Sequence, residues 1–194
     1  DNFTRGRIPA GIHTGNSSAA TGGFAPLLPA HESMAIAVPD DVSDEAAVLA
    51  DPFSVSLHGI LKRPPAAGRP CLVWGCGTLG LCAIAILRSL HPDSPIVAVG
   101  RYPHQRRLAE RLGARLVLEH RPLAKLIDEI GRFTSAETLT PWQGLPMLNG
   151  GVDVVYDTVG LPETIEAGVR IVRPRGAIVV TGVEKPRRFE WTPL

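Results

Sequence analysis

Val73-Trp74-Gly75-Cys76-Gly77-Thr78-Leu79-Gly80 is the stretch on which the fold turns. It sets G-x-G-x-x-G between an apolar run at 71–74 and a Leu-, Ile- and Ala-rich stretch at 79–90. In such a turn Gly75 permits the sharp exit from a strand. Gly77, having no Cβ, lets a pyrophosphate approach the backbone, and Gly80 lets the helix pack closely on the strand. Free N–H groups at the helix start, backed by the helix dipole, then hold the anion. A glycine-rich turn alone is a weak signal. Here the strand before it, the helix after it and the next strand all fall where a dinucleotide site needs them. Gly75, Cys76, Gly77, Thr78, Leu79 and Gly80 are therefore read as phosphate-binding.

Outward from this turn, short apolar runs alternate with helical stretches. Strands are expected at 71–74, 96–99, 114–118, 152–156 and 177–180, and helices at 79–90, 104–112, 123–130 and 163–172. That alternation argues for an α/β fold, a Rossmann-type doubly wound parallel sheet of about five strands. Residues 132–150 hold Pro141, Trp142, Gly144, Pro146 and Gly150 without a clear period, and read as an irregular insertion. Upstream, residues 1–23 read as loop, with short extended segments at 24–28 and 33–38. A turn is expected at Pro39-Asp40-Asp41, then a short helix capped by Ser43 with Asp44 and Glu45 in its first turn. Asp51-Pro52 reads as a second helix start, Asp51 the N-cap and Pro52 the first helical residue. That helix ends before Pro64-Pro65, His58 being a packed member of it. The expected organisation is 1–38, a linker of helices at 39–66, and a dinucleotide-binding domain at 67–194.

Composition excludes several classes. Of the 194 residues 44% are hydrophobic and only 5% aromatic, so the core must be aliphatic. A net charge of +1, from 20 basic and 19 acidic residues, argues against nucleic acid or an anionic membrane as partner. Three cysteines at these spacings, with no C-x-x-C pair, make no disulfide framework and suit a reducing, cytoplasmic setting. No membrane-spanning stretch or secretory leader is read. The glycosylation-like Asn2-Phe3-Thr4 and Asn16-Ser17-Ser18 are taken as chance matches. The chain begins without Met and closes just after a strand-like segment, and is read as a piece of a longer product.

The second strand bears on the coenzyme. An NAD site places Asp or Glu about 20 residues past the glycines, to bond the ribose 2′-hydroxyl. Counting from Gly80 reaches Gly100, followed by Arg101, Tyr102, His104, Arg106 and Arg107. A small residue leaves room for a 2′-phosphate and a guanidinium pairs with it, so NADP(H) is favoured over NAD(H), with Gly100, Arg101, Tyr102 and Arg106 as candidates. The alternative is a solvated basic helix start. A methyltransferase is disfavoured, because the second strand lacks an acidic end for ribose hydroxyls.

Five segments in order resemble the zinc-dependent medium-chain dehydrogenase/reductases, the alcohol and polyol dehydrogenase superfamily. They are GGFAPLLPAHESMAIAVPDDVSDEAAVLADPFSVSLHGI (22–60), VWGCGTLG (73–80), RRLAERLGA (106–114), GVDVVYDTVG (151–160) and ETIEAGVRIVRPRGAIVVTGV (163–183). The resemblance implies that Thr158, Val159, Gly160, Gly182 and Val183 approach the nicotinamide side, the other reading being plain strand-end turns. It implies that residues 1–38 are the remnant of a GroES-like catalytic domain. It implies a small alcohol or carbonyl substrate and a homo-oligomeric parent. It makes Asp51 a candidate zinc ligand, a role that stays open beside helix capping. The family's zinc-binding Cys, Gly-His-Glu segment and four-cysteine lobe have no counterpart here. Zinc is thus expected only with the missing catalytic domain, and the chain alone is expected to turn over little or nothing. A non-catalytic dinucleotide-binding or sensing module is the alternative function.

Overall fold

The computed structural model describes residues 22–24, 26, 27, 33 and 35–183. The acceptor-like sequences near the start and most of the expected catalytic-domain remnant lie outside them. The chain divides into two compact units, Asp1–Val48 and Leu49–Leu194. In the first unit, Val42 N donates to Pro39 O (3.0 Å), closing the expected turn. Ser43 caps α1 (Asp44–Ala47), its side chain accepting from Ala46 N at 3.3 Å. No strand forms at the described residues of 24–28 or 33–38.

The second unit opens with α2 (Ala50–Lys62). Its N-cap is Leu49, already in the right-handed helical conformation, and Phe53 N donates to Leu49 O. The helix therefore starts ahead of Asp51, which lies in its first turn and does not cap it; Pro52 is tolerated there because first-turn N–H groups have no intrahelical partner. His58, expected to be packed, is exposed, while Ser56, Gly59 and Ile60 are buried. The other elements are β1 (Cys71–Trp74), α3 (Thr78–Leu90), β2 (Ile96–Gly100), α4 (Pro103–Arg111), β3 (Leu116–Glu119) and α5 (Leu123–Thr134). Then come β4 (Glu137–Leu139), β5 (Met147–Asn149), β6 (Val152–Asp157), α6 (Pro162–Ile171) and β7 (Val172–Val180).

Five strands form one parallel sheet in the order β3-β2-β1-β6-β7. Successive strand residues face opposite sides. Cys71 and Val73 pack with Ile60, Ile84, Leu87 and Ala109, while Leu72 and Trp74 pack with Leu126, Ile127, Ala167 and Ile171. Helices α2, α3 and α4 thus cover one face, α5 and α6 the other, which is why β1 and β2 are apolar at every position. The region 132–150 is not irregular throughout: β4 and β5 pair antiparallel in a hairpin of their own. Helix α6 runs directly into β7, so that strand begins five residues earlier than its apolar run suggests.

The sheet end away from the glycine turn is tied to the chain entering it. Asp153, 2% exposed, accepts from Ala66 N and Arg173 Nε, both at 2.7 Å. Tyr156 Oη donates to Arg63 O at 2.7 Å, and burial raises its phenol well above the usual range.

Candidate functional site

The chain leaves β1 to build β2 and β3 on one side, then returns to build β6 and β7 on the other. Between β1 and β6 the carboxyl ends of the strands therefore diverge into a crevice, the place where open α/β sheets take ligands.

The glycine turn sits at that crevice, and its three glycines differ physically. Gly75 has φ +96°, and a Cβ there would lie 2.7 Å from both Thr158 Oγ1 and Val159 Cγ2. A Cβ at Gly80 would lie 1.8 Å from Gly75 O, so helix and turn touch backbone to backbone. A Cβ at Gly77 would meet nothing within 4 Å. Gly77 is also the N-cap of α3, without a side-chain cap or an acidic residue in the first turn. The helix entrance is thus sealed on two sides and open on the third, where first-turn amides have no intrahelical partner. Gly77 and Thr78 are exposed, Leu79 is half-buried, and Leu79 O accepts from Ser56 Oγ at 2.9 Å, fixing α2 to the start of α3.

Cys76 turns inward. A Cβ on Gly100 would sit 3.1 Å from Cys76 Sγ and 3.0 Å from Arg106 Cγ. Gly100 is therefore small for a reason the sequence does not display: sulfur and the arginine stem fill the space beside it. Burial pushes the Cys76 thiol up to about 11, against a lowering pull from Arg106, and burial with the Asp153 charge pushes Cys71 up to about 12. Both thiols stay protonated in the folded chain after an unfolded thiol, near 9, has ionised. Their contribution to stability is complete below pH about 9 and is lost as pH rises toward 11 to 12. We expect the urea midpoint to fall over that window. At pH 8 a thiol reagent should label half-buried Cys82 first, and Cys71 and Cys76 only on unfolding. Rapid labelling of all three in the native chain would contradict this packing.

Beyond β2, Arg101 and Tyr102 are exposed. The Arg101 guanidinium lies 5.7 Å from the Tyr102 ring centroid, and Tyr102 stacks on His104 at 5.8 Å with 8° between planes. Arg106 points elsewhere: its Nη1 donates to Arg101 O (3.0 Å) and lies 3.6 Å from Glu119 Oε1. The structure thus separates Arg101, which faces the crevice, from Arg106, which braces the end of β2.

On the other side of the crevice, Thr158 locks the glycine turn. Its N–H and hydroxyl both reach Trp74 O at 3.0 Å, and the hydroxyl reaches Gly75 O at 3.2 Å. Asp157, fully buried, organises the turn that leaves β6. Its Oδ1 accepts from Val159 N (2.9 Å) and Gly160 N (3.0 Å), and its Oδ2 from Thr164 Oγ1 (2.6 Å). Its carbonyl accepts from Thr181 N and Gly182 N, so one residue holds both loops. Gly160 and Gly182 touch so closely that a Cβ on Gly182 would lie 2.2 Å from Val159 C. Val183 is exposed. Asp157 escaped the sequence reading, although an Asp three residues before a Gly at a strand end is the pattern of a side-chain-to-backbone turn.

For zinc the described residues do not fit. Asp51 is exposed, and no three His, Cys, Asp or Glu side chains gather as donors among the described residues. Among them, too, no helix is long and apolar enough to cross a membrane.

Comparison with known proteins matches this geometry. A family model described as zinc-binding dehydrogenase matches residues 78–194. Over 162 residues the chain is 26% identical to (R,R)-butanediol dehydrogenase of Bacillus subtilis, covering 84% of this chain and 42% of the relative. An alcohol dehydrogenase of Cupriavidus necator is 27% identical over 178 residues, covering 91% and 44%. Among solved structures, a putative zinc-binding dehydrogenase of Sinorhizobium meliloti bound to NADP superposes with a TM-score of 0.60 at 26% identity, covering 80% of this chain and 42% of that one. The chain spans less than half the length of these relatives. With the glycine turn, the parallel sheet and the matched segment in agreement, the chain belongs to the zinc-binding dehydrogenase family.

Proposed function

We propose that this chain is the coenzyme-holding part of an oxidoreductase that moves hydride between a small alcohol or polyol and a nicotinamide dinucleotide, NADP(H) in preference to NAD(H). The observation that carries the proposal is the opening over Gly77, unobstructed while Gly75 and Gly80 are packed shut. A diphosphate would rest on the turn from Gly75 to Gly80, with Cys76 turned inward and Thr78 and Leu79 supplying helix-start amides. Gly100, Arg101 and Tyr102 would take the adenosine ribose and its 2′-phosphate, and Arg106 would hold the strand end that presents them. Thr158, Val159, Gly160, Gly182 and Val183 would form the nicotinamide side. The bound coenzyme supplies hydride exchange at its nicotinamide carbon; the chain's residues bind and orient it.

We assign zinc and substrate groups to a part of the parent outside this chain, so the chain alone is proposed to bind coenzyme with little or no turnover. The parent is proposed to be a homo-oligomer, and a reducing cytoplasm suits its three free cysteines. Calorimetric titration with NADPH and NADH tests the reading. Arg101→Ala should weaken NADPH roughly 10- to 100-fold, the weight of a charge-assisted phosphate contact, and leave NADH within about twofold. Equal loss for both coenzymes would remove the phosphate-reading role, and no binding of either by the unmodified chain would remove the coenzyme claim.

A further inference from the structure

We infer, independently of the coenzyme site, that the amino-terminal edge of the parallel sheet is a docking surface for the acidic residues 40–45 of a second copy of this chain. The net charge of +1 conceals a segregation: no Lys or Arg occurs between Arg7 and Lys62. Cations gather instead where the parallel strands begin. Arg63 closes α2, Arg88 lies in the last turn of α3, and Arg111 is the last residue of α4. Arg69 and Arg115 lie on the loops entering β1 and β3, and Arg175 near the start of β7. All six are exposed, and among the described residues none pairs with a carboxylate. The acids of the same edge do not balance them: Asp93 and Glu110 are exposed, while Asp153 is taken by Arg173.

The strand order turns these residues into a row. Helices that cross between parallel strands run back from carboxyl to amino ends, so their last turns meet the strand starts. In the order β3-β2-β1-β6-β7, at about 4.8 Å per strand, Arg115 and Arg175 mark the two ends of a band roughly 19 Å long. Two of its arginines are held by neutral carbonyls, which orient a guanidinium without cancelling its charge. Arg88 Nη1 donates to Pro92 O at 2.6 Å, with its stem against Gly113, and Arg63 Nη2 donates to Arg175 O at 3.4 Å. Arg175 itself has φ +63°, a conformation that glycine adopts freely and arginine only with strain. Strain of this kind clusters at functional positions, and here it sets a cation on the edge.

The chain carries the matching surface. Asp40, Asp41, Asp44 and Glu45 fall within six residues, shaped by the turn that Val42 N closes onto Pro39 O and by the Ser43 cap of α1. All four are exposed, and among the described residues none pairs with a base. A guanidinium fork bonds a carboxylate through two parallel hydrogen bonds. Two surfaces of opposite sign on one chain repel their own kind and attract each other, which selects a second copy as the occupant. A nucleic acid strand is the poorer match. Among the described residues the exposed aromatic rings on which bases would stack, Phe24, Phe53, Tyr102 and Trp142, lie on other elements.

Sedimentation of the whole chain at two salt concentrations tests this. At about 0.01 M, where charges act over about 30 Å, a concentration-dependent larger species should form; at about 0.15 M, with a reach of about 8 Å, it should fade. Arg69→Glu with Arg115→Glu makes both surfaces acidic, and Asp40→Lys with Asp41→Lys makes both basic. Each doubly reversed chain alone should associate at least about tenfold more weakly, and an equimolar mixture of the two should associate again. These side chains are exposed, so urea midpoints should stay near the parent's. Arg175→Gly should raise the urea midpoint while weakening association about threefold. A parent chain that stays monomeric at low salt would overturn the proposal, as would a reversed chain that associates like the parent or a mixture that does not associate. Inorganic polyphosphate binding to the edge of a chain that stays monomeric would assign the edge to phosphate and overturn it as well.

Discussion

Gly80→Ala should lower stability by about 3 kcal/mol and weaken NADPH beyond roughly 100-fold, the size of an overpacking defect aimed at the site itself. In an ordinary helix the same change stabilises by about 1 kcal/mol, because alanine is the better helix former. Here the new methyl would stand 1.8 Å from Gly75 O, a backbone atom that no side-chain rotation moves aside. Either the start of α3 lifts from the sheet or the turn between Gly75 and Gly77 opens, and both displace the amides that would face a diphosphate. Gly77→Ala is the partner experiment. Its methyl meets no protein atom within 4 Å, and the backbone at φ −76° suits any residue. It should leave the urea midpoint almost unchanged and cost only binding. A Gly80→Ala chain as stable as its parent would refute the backbone contact. A Gly77→Ala chain that binds NADPH normally would refute the use of that opening.

The second large effect belongs to Asp157. Asp157→Ala removes acceptors from Val159 N, Gly160 N and Thr164 Oγ1 at a site with no exposure to water. Hydrogen bonds to a charged group contribute about 1.5–3 kcal/mol each and are not additive within one network, so a loss of about 3 kcal/mol is expected. Asp157→Asn should cost less, about 1 kcal/mol, because its oxygen still meets the two amides. Its NH2 would donate to the Thr164 hydroxyl, whose single hydrogen would turn to Leu161 O, 2.8 Å away. Hydrogen exchange reads the mechanism directly: amides 159 and 160 should lose protection in the alanine variant and keep most of it in the asparagine variant. Unchanged protection in both would show that the carboxylate does not hold the turn.

How much of this could be read from the residues depends on whether the deciding interaction is local. The glycine turn announced itself, since a positive φ at Gly75 and a bare helix start at Gly77 leave a sequence pattern. The apolar runs of β1 and β2 did too, because every position of those two strands is buried. The β4–β5 hairpin did not: three-residue strands joined through Pro141, Gly144 and Pro146 are too short to show a period of two. The start of α2 was misplaced because Asp51-Pro52 has the composition of a helix entrance, while the backbone is already helical at Leu49. The nearness of residues 100 and 120 had no local mark either: it comes from the pairing of β3 with β2, where His120 N donates to Gly100 O at 3.1 Å.

The contact between Gly80 and Gly75 O is made by main-chain atoms alone. The spacing of α3 from β1 is therefore indifferent to which aliphatic side chains surround it. Mutations can exchange leucine for isoleucine throughout the neighbourhood, lineage after lineage, and the distance from strand to helix stays where a hydrogen atom in place of a methyl has set it. A chain that matches its relatives at about one residue in four can keep the same entrance on those terms.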